Sequence, residues 1–285
     1  MNNTLKVTLF FSLLVLLFIF LGWITNGSRG MFVALLFSGA VSFLLYRFSD
    51  QRILALYRAE LLPESEAPCI HAMVRDLSYK SGIPMPRIFL IPSAAPNAFA
   101  TGRDPQHAIL AVTQGILEIL EPEELQGVFS HELAHIHRSD LLISSVAAMV
   151  AGALTSLVGL VRWVFMIGSG RSNQHNDNPL VLLLMGILMP TAAAVIWFAV
   201  SRSQEYAADE MGGTLCRNPL YLAKALQKLE SGMKRVRMRD VPPVTAHLFI
   251  VNPLVGEGFD KLFSTHPPIE DRIARLERQA RKQGI

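Results

Sequence analysis

Two histidines and a glutamate near the middle of the chain have the residue types and the spacing of a metal-binding site. His131 and His135 stand four residues apart in the segment HELAH. On a helix both imidazoles lie on one face, where they can bind the same Zn²⁺ ion. Glu132 then lies beside the metal, where a carboxylate can take a proton from water and return it to a leaving group. The pattern predicts a hydrolytic zinc site with Glu132 as its catalytic base and acid.

Two surface histidines without a metal are the alternative explanation of this motif. Three fixed residues in a window of five recur by chance in about 1% of chains of this length. The neighbouring apolar residues Phe129, Leu133 and Ile136 have helical spacing, which favours the metal site. We expect the helix to begin near Pro122, because proline suits the first helical turn.

A catalytic zinc ion needs a third protein ligand, and the hydropathy of the chain indicates where it lies. Two apolar segments, 141–161 and 180–200, separate the HELAH helix from a second predicted helix at 201–212. If these segments form an antiparallel hairpin, the two helices emerge from it side by side. Glu205 is therefore predicted as the third ligand of one Zn²⁺ per chain.

Further acidic residues are candidates for holding the zinc ligands in place. Asp209 lies four residues after Glu205, on the same helical face, and can accept the outer N–H of a zinc-bound histidine. A solvated aspartate is the alternative. Asp140 could play the same part or be a simple interfacial charge. His137 faces elsewhere on the helix and is left out of the site.

The composition divides the chain between membrane and water. Hydrophobic residues make up 51% of it and charged residues only 17%, with a mean hydropathy of +0.35. Soluble proteins carry about 25% charged residues. None of the 23 acidic residues falls in 1–49, and only Asp177 falls in 141–200. Both regions therefore predict membrane segments.

Four membrane spans follow from these apolar runs, at about 5–25, 31–46, 141–161 and 180–200. The first two form an N-terminal hairpin (1–48) that turns in a short loop at 26–30, and the last two form a second hairpin (141–200). The first run could instead be a signal peptide, although it lacks a small-residue cleavage site. The second pair could instead be the core hairpin of a soluble domain.

The soluble blocks 49–140 and 201–285 are predicted to assemble into one domain that the second hairpin interrupts. Short strands at 87–92, 97–101 and 108–113 stand among helices, so the fold class is mainly α with a small β-sheet.

Arginines on the flanks of the soluble blocks outnumber those in the opposite loops, which predicts that these blocks and both termini are cytoplasmic. Neither a basic stripe nor a phosphate-binding loop is present, so neither nucleic acid nor nucleotide is an expected partner.

In combination, the motifs resemble the HtpX-like membrane zinc metalloproteases, which are related to the CAAX prenyl endopeptidases. The resemblance covers most of the chain and rests on the paired spans and on motifs that occur in the family's order: PNAFATG (96–102), HELAH (131–135), SRSQEYAAD (201–209) and STHPP (264–268). It implies a zincin-type domain in which His131, His135 and Glu205 bind zinc and Asp209 orients a ligand. Residues 137–139 depart mildly from the family, because this run is more basic than the run that is common there.

By the same resemblance, Asn97 and His266 face the substrate cleft, where either could stabilise the oxyanion. A turn residue and a helix-flanking residue are the alternatives for these two.

The resemblance also implies a protease of the inner cell membrane that removes misfolded or damaged membrane proteins. The strand at 97–101 is expected to offer a free edge for an extended substrate. Since the chain lacks an unfolding motor, it should cut flexible segments or depend on a partner, such as a membrane protease.

Two rival functions remain open at this stage. One is a zinc hydrolase with a narrower task, such as processing a lipidated C-terminus, although four spans are few to enclose the chamber that this task needs. The other is a non-catalytic membrane scaffold that keeps a zinc site. The intact Glu132 argues against a scaffold, because a structural metal does not need that residue.

Overall fold

The computed structural model describes residues 3–148, 150–151, 186–187, 190–191, 193–196, 202–238, 241–254 and 266–285. Seven helices are given labels here: α1 (Asn3–Leu56), α2 (Pro68–Ser81), α3 (Gln114–Ile119), α4 (Pro122–His137), α5 (Arg202–Leu215), α6 (Pro219–Arg235) and α7 (Ile269–Lys282). Short 3₁₀ segments occur at Pro105–His107 and Pro243–Leu248. The described part is mainly helical with one small sheet, as the sequence predicted.

The sheet has four strands: β1 (Glu60–Leu61), β2 (Arg87–Ile91), β3 (Ala98–Thr101) and β4 (Ile109–Thr113). Their order is β1-β2-β4-β3, in which β2 and β4 are parallel and the other two pairs are antiparallel. All residues of β3 and β4 are buried. Strand β3 is therefore an edge strand that is nevertheless covered on both faces.

Helix α4 runs through the centre of the domain and is buried along most of its length. Its start is fixed by a capping box between Glu121 and Glu124, with Pro122 in the first turn. Its apolar residues, among them Phe129 and Leu133, pack in the main core. Gly127 allows the backbone of α6 to approach closely, since a Cβ there would lie 2.5 Å from the backbone nitrogen of Leu222.

One detail of the predicted N-terminal hairpin is wrong. The structure places a continuous helix at Asn3–Leu56, where the sequence predicted a loop at 26–30. Gly27 has a positive φ of 55° within this helix, a conformation that glycine adopts at little cost. No proline interrupts residues 3–56, so nothing in the sequence forces the helix to end at the turn-forming residues.

The remaining membrane predictions are not decided by the described residues. None of the helices in the described part combines the length and hydropathy that crossing a bilayer requires. Most of the predicted second hairpin, including residues 152–185, lies outside the described residues. The four membrane spans therefore stay a prediction.

Candidate metal centre

Three side chains converge on one point between α4 and α5. The ligand atoms of His131, His135 and Glu205 all lie within 4.8 Å of one another. The two Nε2 atoms of the histidines are 3.2 Å apart. Carboxylate oxygens of Glu205 lie 3.5 Å from Nε2 of His135 and 3.8 Å from Nε2 of His131. Residues that are 70 positions apart in sequence thus form one cluster.

The spacing of these atoms fits a zinc ion. Two histidine nitrogens bound tetrahedrally to Zn²⁺ at about 2.0–2.1 Å are roughly 3.3 Å apart. The observed Nε2 separation of 3.2 Å matches this value. Two imidazoles and one carboxylate are also the donor set of several catalytic zinc sites, in which a fourth position stays open for water or substrate. The three residues can therefore hold a metal ion without rearrangement of α4.

Each histidine is oriented by its own aspartate. Nδ1 of His131 lies 3.0 Å from Asp209, and Nδ1 of His135 lies 3.1 Å from Asp140. A proton on Nδ1 directed at a carboxylate leaves the lone pair of Nε2 free for a metal. Of the two roles left open for Asp140, the contact with His135 favours the one in which it orients a candidate zinc ligand. His137 instead contacts the carbonyl oxygen of Ser81 at 3.0 Å, outside the cluster.

When no metal is bound, His131 is neutral and His135 is protonated at pH 7. Burial lowers the pKa of His131 to about 4, so this ring is neutral at pH 7. Burial also acts to lower the pKa of His135, but the hydrogen bond to Asp140 and the nearby carboxylate of Glu205 outweigh it and raise the value to about 9. His135 must therefore lose a proton before it can bind a metal.

Glu132 has the environment of a proton-transfer group. Its side chain is 2% exposed, and burial raises its pKa to about 7, with the carboxylate of Glu205 adding to the effect. The backbone N–H of Ala100 on β3 donates a hydrogen bond to it. A pKa near 7 suits a group that must both accept and donate a proton at neutral pH.

A buried arginine that the sequence analysis missed completes the centre. Arg272 on α7 is fully buried and donates to both oxygens of Asp209, at 2.7 and 2.9 Å. A third hydrogen bond, 2.8 Å long, goes to the carbonyl of Ile250. One signal could have identified it: Arg272 stands on the buried stripe of α7, together with Leu276 and Ala280 at intervals of four residues.

The side chain of Asn97 contacts the chain around Val251. Its side chain is completely buried, and its amide donates to the carbonyl of Val251 at 2.7 Å. Its oxygen accepts from the backbone N–H groups of Ala98 and Val251, at 3.1 and 3.3 Å. These bonds use its oxygen and one amide N–H, so Asn97 holds the chain around Val251.

His266 lies beside Glu205. Nδ1 of this ring is 3.2 Å from Glu205, and Nε2 has no hydrogen-bond partner among the described residues. The ring lines the pocket that contains the three potential ligands. His266 is therefore placed to touch a group bound at the centre.

The free edge expected on β3 is partly covered. The backbone N–H of Ile250 donates to the carbonyl of Ala98 at 3.0 Å, on the side of β3 that faces away from β4. Residues 247–250 line the same pocket, which encloses a cavity of about 30 Å³. This volume holds one or two water molecules but no peptide. A peptide therefore enters only when the walls of this pocket open.

Comparisons with known proteins agree with this geometry. Residues 64–280 match the sequence profile of peptidase family M48. The chain belongs to peptidase family M48. It is 48% identical over 285 residues to a Protease HtpX homolog of Persephonella marina, with 99% of each chain covered. A Protease HtpX homolog of Thermococcus kodakarensis is 46% identical over 266 residues, with 93% of this chain and 92% of the other covered.

A solved structure shows the same fold. The crystal structure of S. mikatae Ste24p matches with a TM-score of 0.52 at 17% sequence identity, covering 96% of this chain and 64% of that one. This M48 chain thus spans less than two thirds of the length of that relative. The resemblance to HtpX-like proteases that the motifs indicated is confirmed, and the M48 chain is a metallopeptidase.

Proposed function

We propose that this M48 chain is a zinc-dependent endopeptidase that works at a membrane and cuts flexible segments of misfolded or damaged membrane proteins. The observation that carries the catalytic part is the convergence of His131, His135 and Glu205 beside the buried carboxylate of Glu132. One Zn²⁺ per chain would be held by these three ligands.

The metal, when bound, supplies Lewis acidity, which polarises the scissile carbonyl and makes an adjacent water more acidic. Glu132 accepts the proton of that water as it attacks the carbonyl carbon and then donates it to the leaving amine. Asp209 and Asp140 keep Nε2 of each histidine directed at the metal. His266 would donate a hydrogen bond to the oxyanion from Nε2 when that nitrogen carries a proton.

An extended substrate would add to the edge of β3 at Ala100, whose N–H would exchange Glu132 for the substrate. The carbonyl of the neighbouring Ala98 already accepts from the N–H of Ile250, so pairing there requires Ile250 to give up this contact. Backbone pairing of this kind reads little sequence and suits a protease with many substrates. Broad specificity is thus favoured over the processing of one lipidated peptide, which remains the second candidate.

The experiment that tests the catalytic proposal compares the unsubstituted chain with Glu132→Gln after purification in detergent. We expect Glu132→Gln to keep its zinc and to cleave an unfolded protein at least about 10²–10⁴-fold more slowly. Glu118→Gln, an exposed glutamate on α3, is the matched control and should keep full activity. Equal cleavage by Glu132→Gln and the unsubstituted chain would exclude the mechanism.

The ligand assignment has a separate test. Glu205→Ala should lose zinc, because two histidines alone leave the metal without its third protein ligand. Full zinc occupancy in Glu205→Ala, measured by atomic absorption, would show that another residue completes the site. Asp209 is the next candidate, at the same face of α5.

The membrane location is supported by the apolar composition of the two predicted hairpins. Exposed apolar side chains along α1, such as Leu16, Phe20, Trp23 and Phe32, are 56–63% accessible and would face lipid. We expect the chain to stay with membranes during extraction at alkaline pH. Reporter domains fused at residue 285 should be cytoplasmic, and reporters inserted near residue 172 should lie on the other side.

A further inference from the structure

The pocket beside the metal centre contains a histidine that the proposed mechanism does not use. His247 lines this pocket, and its side chain is 4% exposed. Its Nε2 lies 3.2 Å from the carbonyl oxygen of Ser144, whereas its Nδ1 has no hydrogen-bond partner among the described residues. Since a carbonyl only accepts, Nε2 carries the proton, and the neutral ring presents a lone pair at Nδ1.

The charge state of His247 agrees with this assignment. Burial lowers its pKa to about 4, although the carbonyls of Ser144 and Val244 favour the charged form. The nearby ring of His266 adds to the lowering, and Glu205 opposes it. At neutral pH the ring is therefore uncharged and acts at Nδ1 as an acceptor.

The chain around His247 holds the ring in a defined position. Two residues before it, the hydroxyl of Thr245 forms a hydrogen bond with Tyr57. Two residues after it, Phe249 packs edge-on against Tyr57 and Phe99, with ring centroids 5.1 and 5.0 Å apart. A ring fixed in this way needs little ordering when it meets a partner.

Unpartnered buried polar atoms are rare in proteins, and their location is informative. Among the described residues, four buried side-chain atoms lack a partner, and two of them, Nδ1 of His247 and Nε2 of His266, line this pocket. A peptide that enters the pocket brings backbone N–H groups that lose their water and need acceptors. Nδ1 of His247 is such an acceptor.

We propose that Nδ1 of His247 accepts a hydrogen bond from a backbone N–H of the peptide substrate, next to the bond that is cleaved. This role rests on the proposed function, because it concerns a peptide bound at the same centre. His247 would be a substrate-contact residue that fixes the register of the peptide, while Glu132 and the metal ligands perform the chemistry.

The test removes single N–H groups from the substrate. A peptide that the unsubstituted chain cleaves is made as a series in which one amide at a time, on either side of the cleaved bond, is replaced by an ester. Binding of each peptide to the zinc-loaded Glu132→Gln chain is measured by fluorescence anisotropy. We expect one ester to weaken binding about tenfold. If no ester weakens binding more than about twofold, the proposal is overturned without any further variant.

Two substitutions at His247 then link that N–H to this residue. His247→Asn keeps a polar atom near the position of Nδ1, whereas His247→Gln reaches instead toward the position of Nε2. The loss of binding that this ester causes (the ester effect) should be retained at least in part in His247→Asn and should vanish in His247→Gln. An ester effect that persists undiminished in His247→Gln overturns the proposal.

Zinc content and melting temperature of both variants separate this contact from a structural role. If His247 only supports the fold, both variants lose zinc or stability and the ester effect stays unchanged, which also overturns the proposal. The proposed function is judged independently by cleavage in the unsubstituted chain. A chain that binds peptides but cleaves none would count against that function, and the ester series would then be made along a bound peptide so that the contact of His247 is still tested.

Discussion

Arg272 holds Asp209 with two hydrogen bonds of 2.7 and 2.9 Å, and Asp209 in turn holds Nδ1 of His131 at 3.0 Å. Arginine, aspartate and histidine come from α7, α5 and α4, so one chain of contacts ties three helices to the metal centre. Burial alone would raise the pKa of Asp209, but the charge of Arg272 and the hydrogen bonds of Arg272 and His131 lower it to about 2. Asp209 is therefore ionised throughout the physiological range.

Removing Arg272 should destabilise the protein and loosen the site. Arg272→Ala leaves the carboxylate of Asp209 buried without its partner, which costs about 3–5 kcal/mol. The double variant with Asp209→Ala lacks the buried charge as well, so it should melt at a higher temperature than Arg272→Ala alone. Thermal unfolding of the zinc-free protein measures this coupling. Additive losses from the two single substitutions would show that the pair does not interact.

Removing the orienting aspartate should weaken zinc binding while the three ligands remain. Asp209→Asn loses the charge that fixes Nδ1 of His131, and comparable changes cost about 10–100-fold in metal affinity. Competition with a fluorescent chelator measures the affinity. Glu210→Gln, an exposed neighbour on α5, is the control and should bind zinc as the unsubstituted chain does.

Gly212 permits the close contact of α5 with α4 next to His131, a proposed metal ligand. A Cβ at this position would lie 2.9 Å from the backbone nitrogen of His131 and 3.0 Å from its Cα. Gly212→Ala should push the two helices apart and lower zinc affinity. In Gly213→Ala, the nearest atom to the new Cβ is the flexible end of Gln279, so this variant should retain zinc. Similar affinity in both variants would contradict the expected role of Gly212.

Zinc affinity should rise with pH. His135 has a pKa of about 9 in the metal-free protein and must release one proton on binding, whereas His131, with a pKa of about 4, is already neutral. Between pH 6 and pH 8 we therefore expect the apparent affinity to increase about tenfold per pH unit. Asp140→Asn removes one cause of the raised pKa of His135 and should flatten this dependence at the upper end. An affinity independent of pH in the unsubstituted chain would refute the assigned charge state.

Substitution of Asn97 should lower the stability of the fold. Asn97→Ala leaves the buried backbone groups of Val251 without partners, at a cost of about 1–3 kcal/mol. We expect a lower melting temperature together with reduced activity. Lost activity at an unchanged melting temperature would support the expectation that Asn97 faces the substrate.

The sequence by itself determined the chemistry of the centre and most of its secondary structure. The four-residue spacing of His131 and His135 follows from helical periodicity, and α4 begins at Pro122 as its local signals predicted. Strands expected at 87–92, 97–101 and 108–113 occur within one residue of those bounds. Such features depend on near neighbours in the chain, which a single sequence contains.

Only the tertiary structure decided which distant residues meet. Arg272 looks like one of many basic residues on a charged helix, and its burial depends on α7 packing over Asp209. The sequence motif around Asn97 does not show that Val251, more than 150 positions later, accepts from its amide and donates to its oxygen. In the same way, the pairing of Ile250 with β3 covers an edge that local patterns left free. These contacts depend on how helices and strands pack, and residue spacing along the chain does not encode that packing directly.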